Sequence, residues 1–226
     1  MARASTATAI VAVIFDMDGV LIDSEPLHFE ATRALLAEHG VAYQPAAGED
    51  FFGCTDREVF AALKARYRLE AGVQDLASAW IGLVVRQLAR PLVPLHGVPS
   101  ALDEVAALGL RLALASSSAP PVIAATLAGL GLSARFEATV SGHEVARGKP
   151  SPDIFLEAAR RLAVDPPACL VVEDSHNGLS AAVAAGMPCA VVPCASTAGQ
   201  DFSRATVRLA TLQDLPGWLL SGRRAG

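Results

Sequence analysis

The stretch that most constrains the fold is residues 10–24, IVAVIFDMDGVLIDS. Ile10 to Phe15 is a continuous apolar, β-branched run, of the length that a strand buried on both faces requires. It stops abruptly at Asp16-Met17-Asp18-Gly19. A buried strand ending in two carboxylates places both at the carboxyl edge of a sheet, where open α/β sheets bind ligands. Gly19 allows the sharp turn that a close-lying phosphate and metal demand. Like charges this close repel, so the pair needs a cation, a shared proton or divergent environments. A divalent cation is the simplest answer. Asp16 is then placed to attack a phosphorus atom and form an aspartyl-phosphate, while Asp18 handles the leaving group's proton. Taken alone, a DxDG tetrapeptide fits a surface turn after any strand equally well.

What surrounds the tetrapeptide shifts that balance. VIFDMDGVLIDSEPLH resembles the first motif of the haloacid dehalogenase superfamily, in its sugar-phosphatase and beta-phosphoglucomutase branch. Later motifs extend the resemblance over nearly the whole chain. After Ser24 the spacing of apolar residues turns helical: Pro26–Glu38 up to Gly40, then Asp56–Tyr67 and Gln74–Leu88. Arg90 to Gly97, with two prolines and a glycine, reads as a linker. From Ser100 helices and strands alternate: helix 100–108 and strand Arg111–Ala115, helix 121–130 and strand Ala138–Ser141. Helix 153–163 then precedes strand Cys169–Glu173, and helix 177–185 precedes strand Cys189–Val192. Alternation of this kind predicts a parallel sheet with right-handed crossovers. The expected fold is α/β, a Rossmann-like parallel sheet core with a helical cap inserted after the first strand. Residues 1–24 plus 93–226 are expected to form the core and 25–92 the cap, placed as a lid over the carboxyl edge. The family has a helical cap at this place.

Composition narrows the partners. The 226 residues carry a net charge of −5, and the densest basic run is Arg223-Arg224. Nucleic acid and an anionic membrane surface are therefore not expected as partners, and a phosphate must be met locally by a metal and one or two cations. Cys54, Cys169, Cys189 and Cys194 show no CxxC pairing, lie mostly in apolar surroundings and read as buried free thiols of a reducing compartment. The apolar run near the N-terminus is short and leads straight into Asp16, so it reads as a frayed tail and first strand rather than a signal peptide. A cytoplasmic monomer is expected.

Three later strands should end on the same edge as Asp16. RLALA runs into Ser116-Ser117-Ser118, hydroxyls beside backbone amides that suit a phosphate oxygen, although a helix N-cap before Pro120 fits as well. The resemblance makes this the second motif, with the hydroxyl on Ser116. Lys149 sits in the proline-flanked turn Gly148-Lys149-Pro150-Ser151-Pro152 just before a helix, where it can neutralise both nucleophile and phosphoryl group; it matches the third motif. It is not a Walker loop, because Pro follows the Lys. Strand Cys169–Val172 ends in Glu173-Asp174-Ser175. Oxygen ligands from two strand ends are what Mg²⁺ prefers. Asp16 and Asp174 are the expected ligands, with Glu173 left to ligate or to act through water. The resemblance implies that Asp18 contributes its backbone carbonyl. The stretch from Gly129 to Ala134 fits GxGxxA but follows a helix, which makes it a helix C-cap.

Gly19 and Ser117 complete the expected phosphate-side contacts, and Glu25, His28 and Arg57 are the expected substrate contacts from the cap. His28 matches a histidine of the mutase, which phosphatase relatives also carry. Where the mutase has a lysine before the cap-loop glycine and an arginine three residues after it, this chain has Phe52 and Asp56, with Arg57 one further on. The reading that follows is a Mg²⁺-dependent phosphatase of a small phosphorylated metabolite, with a sugar phosphate as the expected type. A hexose-phosphate mutase is the alternative within the same chemistry, and a non-catalytic phospho-ligand sensor the alternative from another class.

Overall fold

The structure, a computed structural model, describes residues 8–44, 51 and 53–224. The tail expected before the first strand (residues 1–7) and Phe52 lie outside the described residues. Six strands follow in chain order: Ala12–Phe15 (β1), Arg111–Ser116 (β2), Ala138–Ser141 (β3), Cys169–Glu173 (β4), Cys189–Val191 (β5) and Val207–Arg208 (β6). They form one sheet of order β3-β2-β1-β4-β5-β6, every neighbouring pair parallel. The winding reverses at β1, with β2 and β3 extending the sheet one way and β4 to β6 the other. A ligand crevice belongs at the carboxyl end of such a switch point.

Register sets what meets there. Phe15 pairs with Leu114 of β2 and Val172 of β4. The next residue, Asp16, therefore lies between Ala115 and Glu173, and its amide donates to the Val172 carbonyl at 2.9 Å. β1 is buried on both faces, and alternate residues serve opposite layers. Val13 and Phe15 join Leu112, Leu114, Leu170 and Val172 in one apolar layer. Ala12 and Ile14 join Ala113, Ala115, Cys169 and Val171 in the other. Truncating Phe15, which is fully buried, removes contacts worth about 3–5 kcal/mol.

The helices are Glu25–Glu38 (α1), Asp56–Tyr67 (α2), Val73–Leu88 (α3), Val98–Ala107 (α4), Pro120–Gly129 (α5), Asp153–Arg161 (α6), His176–Ala184 (α7) and Asp214–Arg224 (α8). α6 and α7 cover one face of the sheet, and α4, α5 and α8 cover the other. Between β1 and α4, α1 to α3 form the helical cap. In α3 the buried residues Leu76, Trp80, Val84 and Leu88 recur every four residues, a single stripe that packs against α1 and α2. α3 also lies against α5, so the cap and one face of the core share an apolar cluster. α2 opens with a capping box between Thr55 and Glu58. The two chain crossings between cap and core are tied by the Leu95 amide, which donates to the Leu21 carbonyl at 2.9 Å.

The expected strands and helices lie within two residues of those observed. β1 starts at Ala12 rather than Ile10, and Val11 is 44% exposed. α4 starts at Val98, because Pro99 sits in the first turn, where a missing N–H costs nothing. β6 and α8 have no counterpart in the sequence reading. β6 is two residues long, and α8 carries Pro216 and two glycines. Its buried Leu215 and Leu219 and its packing on α4 hold it helical against that composition. Among the described residues no helix is long and apolar enough to cross a membrane.

Candidate active site

Every acid and hydroxyl run expected at the sheet edge gathers at the carboxyl end of β1, β2 and β4. Lys149 is the centre of the buried floor. Its Nζ donates to Asp16 Oδ1 and to Glu173 Oε1, each at 2.7 Å, and to the Ala115 carbonyl at 3.3 Å. Burial disfavours its charge, yet the carboxylates of Asp16 and Glu173 hold its pKa above the ordinary lysine value. It is a fixed cation. Glu173 has both oxygens engaged: Oε2 accepts from the Asp174 amide at 3.0 Å, the Ser175 amide at 3.0 Å and Ser175 Oγ at 2.9 Å. Its carboxyl also fills the space where a Cβ on Gly178 would stand, 1.8 Å away. Such a carboxylate anchors Lys149 and the turn after β4.

Asp18 sits one turn along and is held by hydroxyls. Oδ1 accepts from Ser24 Oγ at 2.5 Å, and Oδ2 accepts from Ser118 Oγ at 3.0 Å and Ser116 Oγ at 3.2 Å. Ser116 is fully buried, and its oxygen also accepts from the Ser118 amide. Ser117 and Ser118 are the residues of this run that line the cavity, and Ser117 Oγ donates to the Gly53 carbonyl of the cap loop.

Asp174 faces Asp16 across the Gly19 turn. Gly19 has φ +76°, and a Cβ there would come within 2.2 Å of Asp174 Oδ2, so the turn needs glycine for both backbone and space. Asp174 Oδ2 accepts from Cys194 Sγ at 3.1 Å and from Thr197 Oγ1 at 3.4 Å. Cys194 lines the cavity, and so does Cys54, unlike the apolar burial expected for the cysteines; Cys169 and Cys189 are buried as expected, and all four are free thiols. Asp16, Glu173 and Asp174 present carboxylate oxygens within 4.8 Å of one another. Burial, the Glu173 carboxylate and the Cys194 thiol push the Asp174 carboxyl up to about 9, and burial drives Asp16 well above its ordinary range despite Lys149. One ammonium does not balance this cluster of acids. A hard divalent cation does, and the all-oxygen donor set of Asp16 and Asp174 suits Mg²⁺.

The cavity above this floor holds about 800 Å³. Its cap end is lined by Phe29, Tyr43, Phe51 and Trp80, and by Asp23, Glu25 and His28. His28 lies against Trp80 with ring centroids 5.1 Å apart and planes tilted by 56°, and its Nε2 is 3.9 Å from Asp18 Oδ1. Burial, with Asp18 and Asp23 beside it, pushes Glu25 up to about 7. Asp56 also lines the cavity, but its Oδ1 is in hydrogen-bond contact with His143 Nε2 of the core. Arg57 is exposed on α2 and is not among the lining residues, because the helix start turns it to the outside while Asp56 turns in. Ser24, Ser118, Cys194 and Thr197 are site residues that sequence reasoning missed. Ser24 and Ser118 stand within or beside quoted motifs. Cys194 and Thr197 come from the loop after β5, which carries no motif of its own.

A parallel sheet with its acids at the switch point, under a helical cap, is the architecture of a phosphoryl-handling α/β hydrolase. The profile of the haloacid dehalogenase-like hydrolases matches residues 10–186, and the chain belongs to that family. It is 35% identical over 176 residues to the phosphorylated carbohydrates phosphatase of Thermotoga maritima, covering 78% of this chain and 82% of that protein. It is 36% identical over 219 residues to hexitol phosphatase B of Escherichia coli K12, covering 93% and 96%. The crystal structure of CbbY from Rhodobacter sphaeroides in complex with xylulose-(1,5)bisphosphate superposes with a TM-score of 0.81 at 29% identity, covering 91% of this chain and 96% of that one. The chain is a phosphoric monoester hydrolase of this family.

Proposed function

We propose that the protein is a Mg²⁺-dependent phosphatase of a small phosphorylated metabolite, a sugar phosphate, working through an aspartyl-phosphate on Asp16. The observation that carries this reading is the Lys149 ammonium shared at 2.7 Å by Asp16 and Glu173, beside Asp174. Asp16 attacks the phosphorus in line, and the ester P–O bond breaks as Asp18 gives its proton to the departing oxygen. Asp18 then takes a proton from water, whose oxygen attacks the phosphorus and returns Asp16 to its free carboxylate. Hydrogen bonds from Ser24, Ser116 and Ser118 keep the Asp18 carboxyl at one place for both steps. Lys149 neutralises Asp16 and the phosphoryl oxygens, and Glu173 holds Lys149 in position. Asp16, Asp174 and the Asp18 carbonyl would hold Mg²⁺, which supplies charge stabilisation to the transferring phosphoryl group. Gly19 and the Ser117 turn leave room for the phosphoryl oxygens.

The 25–92 cap closes the site and supplies Glu25 and His28 to the sugar. Hydrolysis is favoured over mutase chemistry by the cap loop: Asp56 is committed to His143 and Arg57 stays outside the cavity lining. The relatives named as carbohydrate and hexitol phosphatases support the same choice. A panel of phosphorylated metabolites assayed for phosphate release, with Mg²⁺ and with excess chelator, tests the reading. Mg²⁺-dependent release from a sugar phosphate is expected. Undiminished release in chelator refutes the metal, and steady conversion of a hexose 1-phosphate to its 6-phosphate well above release refutes the hydrolase.

A further inference from the structure

The two ends of the cavity differ in charge. At the phosphoryl end Lys149 is fixed to the floor, and it is the only lysine or arginine among the described lining residues. The cap end offers carboxylates instead: Asp23 and Glu25 at the start of α1, among the rings of Phe29, Tyr43 and Trp80. Two further cations of the cap are engaged elsewhere, and Arg57 is exposed outside the lining. Arg33 pairs with Glu30 at 2.6 Å, and Lys64 donates to the carbonyls of Leu69, Glu70 and Ala71.

On the phosphatase reading above, we propose that this site selects monophosphate esters with an uncharged, polyhydroxylated remainder and rejects bisphosphates, with Glu25 setting that selectivity. A second phosphate reaching the cap end would leave water for a wall of rings and carboxylates, with no lysine or arginine among the described lining residues to replace its hydration and with His28 already beside Asp18. An uncharged sugar loses nothing of that kind. Its hydroxyls donate to Glu25 and Asp23, and its C–H faces lie against the rings. Size does not separate the two classes of ligand, since about 800 Å³ accommodates either. Charge does.

Calorimetric binding to the Asp16→Asn variant with Mg²⁺ separates selectivity from turnover. The probes are a hexose 6-phosphate and the corresponding 1,6-bisphosphate. The monophosphate is expected to bind at least tenfold tighter, about one charge–charge interaction at partly screened distance. Adding Glu25→Lys should shrink that ratio about tenfold or invert it, and Glu25→Gln should move it the same way by less. Glu30→Lys makes the same charge change on an exposed part of α1 and should leave the ratio as it was. Equal or tighter binding of the bisphosphate overturns the proposal, as does a Glu25→Lys shift no larger than that of Glu30→Lys, or no binding of either probe. The expected preference without phosphate release by the unsubstituted chain upholds the selectivity and removes the phosphatase reading.

Discussion

A Glu173→Gln substitution removes one charge and almost no volume, and its cost can be worked from the contacts of the two oxygens. Oε1 accepts from the Lys149 ammonium at 2.7 Å, and Oε2 accepts from the Asp174 amide, the Ser175 amide and Ser175 Oγ. All four partners donate. A glutamine amide must therefore turn its NH₂ either toward the ammonium or toward two backbone N–H groups, and each orientation sets donor against donor. Removing one member of a buried ion pair costs about 3–5 kcal/mol. Lys149 keeps Asp16, so the lower part of that range, about 3 kcal/mol, is expected. For a chain of this size that is a fall in Tm of about 6–12 °C. Urea unfolding in excess chelator reads it directly, since an anchoring role persists without metal. Lys149→Met added to Glu173→Gln should cost less than the sum of the two single variants. If Glu173→Gln stays within about 1 kcal/mol of the parent in chelator, and loses metal affinity alone, Glu173 is a ligand and not the anchor of Lys149.

Asp16→Asn should keep the fold, by circular dichroism, and lose at least about a thousandfold in turnover, because the isosteric amide is not a competent nucleophile; turnover within tenfold of the parent removes the covalent mechanism. Cys194→Ala combined with Thr197→Val should weaken Mg²⁺ binding measured by calorimetry about 10–100-fold, since both side chains orient Asp174 through Oδ2, whereas Cys194→Ser should keep most of the affinity. Unchanged affinity in the double variant denies them that role. Glu25 carries a pH signature: its pKa rises from 4.5 to about 7 on folding, so the folded chain binds the extra proton between those values. Stability relative to Glu25→Gln should then fall as pH rises from about 4.5 to 7 and level off above, and parallel unfolding curves for the two proteins refute the assignment.

The main elements were legible because each rests on a local signal. A six-residue apolar run closed by Asp16 and Asp18, four more strand-helix repeats, and acids at residues 173–174 need no long-range information to be read as a parallel sheet with a charged carboxyl edge. Lys149 stood out for its rigid setting between Gly148 and Pro150. β6 and α8 were not legible, since two residues carry no period and the composition of α8 argues against a helix; packing on α4 overrides it.

At the site, residue types were evident from sequence, and partnerships were not. The acids at 16, 18, 173 and 174 were all candidates for metal or proton work, yet their different environments come from contacts across the sheet. Glu173 is spent on Lys149 and its own turn, Asp18 on three hydroxyls, and Asp174 on a thiol and a hydroxyl from the loop after β5. Cys194 reads in sequence as one more apolar-neighbour cysteine and becomes a site residue only when β5 is laid beside β4. Arg57 and Asp56 show the limit from the other side. They are adjacent in the chain, and the first turn of α2 sends one into the cavity and leaves the other outside. Sequence determines which groups are available and where strands end, because hydrophobic period and abrupt charge are local properties. Which carboxylate meets which donor depends on strand order and helix rotation, and these are settled only when separated segments pack together.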